Sequence, residues 1–567
     1  MPYVLPSPRE RDQLLLSQLT LERSSFLDHW RTIGDTVLPR RPRFLVSDTN
    51  RGDRRNSKIL DGSATYASRT LRAGMMGGIT SPARPWFRLT TPDPDLAEFQ
   101  PVKDWLFLVT QRMNTVFLRS NLYKSLSVIY GDLGTFATAA MMVEEDFTGS
   151  VIRTYPFPIG SYLIANNELL RVDVFAQEFR MTVRQLVGKF GYEQCSQRVQ
   201  DAYDRGNYET WIDVCHIINP NPDRRENRLD AKYKAYRQVY YEKGGLSYAG
   251  YSNQGYLRES GFDLFPVLAP RWEVTGEDSY GTSCPGMEAL GDALQLQIGE
   301  KLSLKAIEKQ VNPSMVGPIA LKRVKVSLLP GDVTYTDERE GTKGLRPAHE
   351  VRVSIQDLEA KQAQVRERIN RAYYVDLFRM LIDDPRKSPP TAEEVRARQD
   401  EKLSELGQPL ENINQDLLDP LIDLTFYYMN RQGLIPPAPE EIQGTPLRVE
   451  YVSVMAQAQK LVGIGGIERF ASFVGTIMAN TKDLSVLDKW DIDQTIDRYG
   501  DRMGVDPDII RSDEAVEELR AVRAQAQQQR QVAEALPAVA GAAKDLAAAD
   551  LSGDSALARL LHTSASA

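Results

Sequence analysis

Two long helical patterns held apart by residues 311–353 constrain this chain more than any other feature of its sequence. The first opens at Ser283-Cys284-Pro285, with Ser283 read as the cap and Pro285 at the first helical position. It continues through Ala289, Leu290, Ala293, Leu294, Ile298, Leu302, Lys305 and Ile307 until Asn312-Pro313 stops it. The second runs from Ile355 to Ile382, with Leu358, Val365, Ile369, Ala372, Leu377 and Leu381 on a buried side and Lys361, Arg366, Arg368, Arg371 and Arg379 largely elsewhere. At a rise of about 1.5 Å per residue, each helix is roughly 40 Å long. Between them lie short β-like runs at Arg323 to Leu328, Asp332 to Thr336 and Glu350 to Val353, broken by Pro330-Gly331, Gly341 and Gly344. A short excursion has to return near its starting point, so the pattern predicts an antiparallel helical stalk with a compact β tip. Most globular enzymes have no use for such a shape.

Residues 1–145 read mainly as helices. Leu21 to Leu38 places Phe26, Leu27, Trp30, Ile33 and Val37 on one face before Pro39 stops it, and helical patterns return at Ser57 to Met76, Pro101 to Leu118 and Leu122 to Met142. From Ser150 to Val274 the period moves toward two, with candidate strands at 150–157, 171–181, 209–218, 232–241 and 265–274 and a helix at Thr182 to Phe190. After the stalk, Asp384-Pro385-Arg386-Lys387-Ser388-Pro389-Pro390 is a breaker-rich loop. Thr391-Ala392-Glu393-Glu394 opens a helix by a threonine cap and an acidic first turn, running to Arg431 with a kink near Gly407 to Pro409. Helices follow at Tyr451 to Met478, Leu487 to Arg498 and Asp513 to Leu536, and the sequence beyond Pro537 is weakly ordered by composition. The fold class expected is α+β, predominantly helical.

Composition narrows the function. The chain has 567 residues, enough for three or four domains at about 150 residues each. With 69 Lys and Arg against 77 Asp and Glu, its net charge of −8 argues against a protein that grips nucleic acid over its whole surface. Cys195, Cys215 and Cys284 are far apart and show no CxxC spacing, so they support neither a disulfide framework nor a cysteine zinc site. No signal peptide and no membrane-length apolar run is present, so the expectation is a cytoplasmic chain with no membrane partner.

The motifs of catalysis are missing one by one. There is no GxxxxGK[ST] phosphate loop, and Gly463-Ile464-Gly465-Gly466-Ile467-Glu468 ends on glutamate where a dinucleotide fingerprint needs glycine. Gly281-Thr282-Ser283-Cys284-Pro285 lacks the second glycine of a nucleophile elbow. Histidine occurs only at His29, His216, His349 and His562, without HExxH; His29 reads as a helix-face residue and His216 as a strand residue. Asp488, Asp491, Asp493, Asp497 and Asp501 miss the EF-hand spacing and read as a solvated acidic helix face. The basic loop with Arg40, Arg41, Arg43, Arg51, Arg54, Arg55 and Lys58 reads as a solvated surface loop ahead of a phosphate-contacting patch. No catalytic residue, metal ligand or cofactor is assigned.

The segment Gly77-Gly78-Ile79-Thr80-Ser81-Pro82-Ala83-Arg84-Pro85-Trp86-Phe87 resembles the N-terminal hallmark of the head-to-tail connector (portal) proteins of T7-like short-tailed bacteriophages. The resemblance continues at Tyr130-Gly131-Asp132-Leu133-Gly134-Thr135, Tyr155 to Gly160, Pro313, Thr391 to Val395 and Trp490 to Gly504, and leaves the C-terminal tail unassigned. It implies a homo-oligomeric ring, usually a dodecamer, at one capsid vertex of the virion, through which double-stranded DNA is packaged and later ejected. Its implied partners are the terminase large subunit during packaging, tail adaptor and nozzle proteins afterwards, and major capsid and scaffolding proteins. The implied portal fold divides this chain into mostly wing at 1–282, stem helices at 283–310 and 354–383, a clip at 311–353 and a channel loop at 384–390. A long helix returning to the wing then spans 391–449, followed by a crown at 450–536 and a flexible tail at 537–567. Arg386, Lys387 and Lys343 are the candidate DNA-channel contacts, weighed evenly against loop-solubilising charges, and Lys322, Arg323, Asp337, Glu338 and Arg339 the candidate adaptor or terminase docking residues of the clip. Capsid scaffold or internal ejection protein is the alternative reading; a terminase ATPase is disfavoured by the missing phosphate loop.

Overall fold

A computed structural model describes residues 7–46, 52, 55–93, 96–97, 99–228, 230–244, 255–316, 346–347, 355–382, 406–452, 470–474, 476–477, 490–503, 511 and 516–527. The chain divides into two compact units, Met1–Val462 and Gly463–Ala567.

Helix α1 (Pro8–Thr36) starts well before the expected Leu21. Its start is a capping box: Ser7 Oγ accepts from the Glu10 amide and the Glu10 carboxylate accepts from the Ser7 amide, with Pro8 at the first turn. After α2 (Ser63–Gly78), β1 (Phe87–Thr90) and α3 (Gln100–Arg119) comes α4 (Leu122–Phe136), shorter than its sequence pattern. Ala137 at φ +62° ends α4 in the left-handed region, and Ala140 onward forms strand β2 (Ala140–Asp146) in place of the expected helix to Met142. The apolar run across residues 139–143 is buried on both sides, and such a run has no period to separate helix from strand.

The strands expected at 150–157, 171–181, 209–218 and 232–241 are β3 (Val151–Phe157), β5 (Val172–Thr182), β6 (Trp211–Pro220) and β7 (Tyr236–Glu242). Strands β4 (Tyr162–Asn166) and β8 (Arg258–Phe262) were not foreseen, and 265–274 holds only the short β9 (Val267–Leu268). Two antiparallel sheets result, β3-β2-β9 and β4-β5-β6-β7-β8. Helix α5 (Val183–Phe190), capped by Thr182 and Gln185 as its sequence requires, and α6 (Gln197–Asp204) cover one face of the larger sheet through Leu186 and Val199 against Ile212, Val214 and Tyr240. On the opposite face α1 sets Leu16 and Leu19 against Leu163, Ala176, Cys215, Ile217 and Tyr241.

The stalk is present, with breaks. Its first strut is a short turn of helix, α7 (Pro285–Glu288), then α8 (Leu290–Val311); Cys284 occupies the cap position, and Ser283, expected there, has φ +56°. Gly286 explains the tight entry: a Cβ there would sit 2.2 Å from the Thr135 carbonyl oxygen. After α8 comes β10 (Met315–Val316), then β11 (Arg346–Pro347), and the second strut is α9 (Ile355–Ala372) and α10 (Val375–Ile382), interrupted at Tyr373 and Tyr374, the latter at φ +52°. Helix α11 (Gly407–Ile413) passes through a π-helical turn at Asn414–Leu418 into α12 (Asp419–Arg431), which ends where expected. Strand β12 (Arg448–Tyr451) pairs with β1, so Tyr451 is extended and not the first residue of a helix. In the second unit, α13 (Ile492–Met503) opens with Asp491 accepting from the Gln494 amide, and Asp493 pairs with Arg520 at 2.6 Å.

Candidate functional site: the helical stalk and its uncovered face

The two struts are antiparallel. Asp292, Glu300 and Ser303 climb α8 while their partners Arg368, Arg366 and Gln362 descend α9, at 2.7, 2.6 and 2.9 Å. At the far end Met315 pairs with Pro347 and Val316 with Arg346, so the chain leaves and re-enters the stalk at one point. The near end is pinned to the body. The Gln297 side chain accepts from the Leu60 and Asp61 amides at 2.6 and 3.0 Å and donates to the Asp61 carbonyl at 2.8 Å, while Arg366 reaches the Asp61 carboxylate at 2.9 Å. Burial acts to raise the Asp61 pKa, but the hydrogen bonds from Ser63 and the Arg366 guanidinium outweigh it and hold the carboxyl below its ordinary value.

Helix α8 is apolar on more than one side. Ala293, Leu296 and Gln297 are buried, yet Leu294, Ile298 and Leu302, one helical row at four-residue steps, remain 38%, 59% and 58% exposed. Leu304, Ile307 and Val311 are exposed beside them. The sequence pattern had placed Leu294, Ile298 and Leu302 on this helix without assigning a covered side. Apolar residues on more than one side of a helix call for more than one packing neighbour, and within a single chain this helix is covered on one side only.

The chemistry of the rest of the described molecule is structural. Arg41, from the basic loop, is neither solvated nor available to phosphate: its guanidinium grips the fully buried Asp132 through Nε at 2.6 and 2.8 Å and through Nη2, and donates to the Phe157 carbonyl at 3.1 Å. Burial works against its charge, but Asp132 raises the Arg41 pKa above its ordinary value. Arg271 likewise holds Asp416 at 3.0 Å, and Lys58 meets Asp35 at 2.6 Å. His216 is stacked on Tyr240, and burial pushes its pKa down to about 3. Burial drives the thiols of Cys195, Cys215 and Cys284 up to about 12, which suits packing and not nucleophilic attack. Among the described residues no group of three or more His, Cys, Asp or Glu is placed to hold a metal, and no helix is long and apolar enough to cross a membrane.

Arg386, Lys387, Lys343, Lys322, Arg323, Asp337, Glu338 and Arg339 all lie outside the described residues. The struts that carry them are described, and the uncovered row on α8 was missed. Its signal was available: an apolar pattern too wide for one neighbour.

The family model described as bacteriophage head to tail connecting protein matches residues 12–510. The chain is 48% identical over 550 residues to the portal protein of Salmonella phage epsilon15, covering 97% of each. It is 42% identical over 548 residues to the probable portal protein of Bordetella phage BPP-1, covering 96% of this chain and 97% of that one. Among solved structures, a chain in the neck of an empty gene transfer agent particle aligns with a TM-score of 0.32 at 12% identity, over 71% of this chain and 85% of that one, a likeness too distant to bear on the fold. With nearly its whole length matched by relatives of this identity, the chain belongs to the bacteriophage head-to-tail connecting proteins, structural connectors of the virion and not enzymes.

Proposed function

We propose that copies of this chain close into a ring, a dodecamer as the family resemblance implies, that stands at one capsid vertex and conducts double-stranded DNA during packaging and ejection. The observation that supports the ring is the apolar row Leu294, Ile298 and Leu302 on a stalk helix already packed on its other side. A row of that kind is stabilised by burial at about 25 cal/mol per Å². The same stalk on the next copy is a partner present at every position of a ring, and a head-to-tail contact repeated by rotation closes without free ends.

In this reading residues 1–282 are mostly wing, 283–310 and 354–383 the stem, 311–353 the clip, 384–390 a channel loop, 391–449 the helix returning to the wing, 450–536 the crown and 537–567 a flexible tail. The clip, through Lys322, Arg323, Asp337, Glu338 and Arg339, serves the terminase large subunit first and the tail adaptor and nozzle afterwards; the wing faces capsid and scaffolding proteins. A conduit must let DNA slide. A strongly basic lumen would release counterions and hold the duplex fast, whereas twelve copies at −8 carry about −96 formal charges and favour a repulsive or mixed channel with local basic rings. Arg386, Lys387 and Lys343 make such transient phosphate contacts.

Negative-stain images of the purified chain test the ring: annular particles with a central hole are expected, and elongated monomers or filaments overturn it. Arg386→Ala/Lys387→Ala tests the channel contacts. Altered packaging or a changed retained genome length is expected, and unchanged values in assembled particles remove these residues from the channel.

A further inference from the structure

A groove of about 1030 Å³ lies beside α1 on the face of the five-stranded sheet that α1 half covers. Gln13, Ser17, Thr20 and Arg23 form one wall, the loop through Arg43 and Leu45 another, and Glu178, Arg180, Trp211 and Lys243 the floor and far rim. Its charge is out of keeping with a chain of net −8. Lys243 pairs with Glu178 and Arg180 with Asp213, both at 2.7 Å. That leaves Arg43 and Arg23 without a close ion pair among the described residues, although the Glu178 carboxylate acts on the Arg23 charge from a distance. Arg23 donates Nη1 to the Gly160 carbonyl at 2.6 Å, and its Nε is buried without a hydrogen-bond partner. Leu45 and Trp211 stand exposed at the rim. The volume is at the upper edge of clefts that hold small molecules, and the open, mixed lining suits protein side chains.

The opposite face of the same sheet carries a surface of the opposite character. Strand alternation sends Trp211, Asp213 and Cys215 toward the groove and Ile212 and Val214 away from it. On that far side residues 192–209 form a lobe, anchored where the Ser196 amide donates to the buried Glu242 carboxylate at 2.8 Å. The lobe bears Glu193, Asp201, Asp204 and Glu209 against only Arg198 and Arg205; Glu209 is paired with Arg184 of α5 at 3.0 Å, which leaves Glu193, Asp201 and Asp204, with Tyr192 and Tyr208 exposed among them. Tyr192 donates to Asp204 at 2.8 Å, which fixes an aromatic and an acid side by side.

We propose that the groove of one copy seats the acidic, tyrosine-bearing 192–209 lobe of the next copy. The inference rests on the ring reading above. Copies of net −8 repel one another, and a contact in which the groove's arginines meet a neighbour's carboxylates offsets part of that repulsion. Because groove and lobe sit on opposite faces of one sheet, a copy cannot satisfy its own groove with its own lobe. The same pairing then repeats from copy to copy, which is the geometry of a closing heterologous interface.

The test is made in assembled rings. Leu45→p-benzoylphenylalanine is expressed in unlabelled and 15N-labelled form, the two are mixed, assembled, imaged and photolysed, and adducts are read by mass spectrometry. Adducts of mixed label joining position 45 to residues 192–209 are expected. Rings in the images with adducts elsewhere, or with none, overturn the groove–lobe contact and leave the ring intact; a sample without rings overturns the ring reading instead. Charge reversal gives an independent reading. Arg43→Glu is expected to raise the concentration needed for assembly about tenfold with the melting temperature unchanged, and Asp204→Arg in the same chain to restore it. Failure of either half overturns the pairing.

Discussion

Burial by distant segments sets the behaviour of single side chains here. His216 lies 3% exposed in β6, its ring 4.1 Å from that of Tyr240 and within 2.9 Å of the Gln238 amide nitrogen. Burial lowers its pKa to about 3, against about 6.5 in an unfolded chain. As pH falls through 6.5 the unfolded chain takes up this proton first, so stability present at neutral pH declines toward pH 3, by at most about 1.4 kcal/mol per pH unit. Urea midpoints measured between pH 7 and pH 5 are expected to fall less steeply for His216→Gln than for the wild type; parallel curves would show that His216 does not carry this term. The Arg41–Asp132 pair makes the same point for the basic loop. Seven cations in one stretch look alike in sequence, and it is the approach of α4 that gives Arg41 a buried carboxylate to hold.

At the scale of elements, close approach of backbones decides what the chain tolerates. Gly74 in α2 faces α10: an added Cβ would sit 2.1 Å from ring carbons of Phe378, which is fully buried and has nowhere to retreat. Gly77, one turn on, has nothing within 4 Å. Gly74→Ala is therefore expected to destabilise by about 1–3 kcal/mol through overpacking. Gly77→Ala is expected to be neutral or to stabilise by up to about 1 kcal/mol through helix propensity. Thermal melts of the two variants check this, and equal melting temperatures would mean that α2 does not meet α10 as described. Both glycines lie in a segment whose sequence marked only a helix end. Of the helix starts, Thr182 fell where expected, whereas the Ser7-to-Glu10 box, although written in neighbouring residues, was passed over for Leu21, and the cap expected at Ser283 falls on Cys284. The switch from α4 to β2 was not legible, because a run buried on every side carries no period.

For the whole molecule, the stalk is where one chain stops being sufficient. Ile298→Asp/Leu302→Asp changes side chains that are exposed in the single chain, so the melting temperature of the unassembled protein is expected to stay near the wild type, within about 0.5 kcal/mol of stability. Assembly is expected to fail, because two carboxylates would have to be buried against the next copy. Sedimentation velocity separates the outcomes, and rings formed at wild-type concentration would place the contact elsewhere. The sequence by itself determined that there are two struts and that they run back to back. Helix periodicity, breakers and motif spacing are properties of neighbouring residues and need no fold to be read. Only the tertiary structure decided which side of α8 is covered, which arginines are spent on buried carboxylates, and that a basic groove and an acidic lobe lie on opposite faces of one sheet. Burial and pairing are set by whatever packs across from a residue, and in this chain that neighbour is often a hundred residues or more away in sequence.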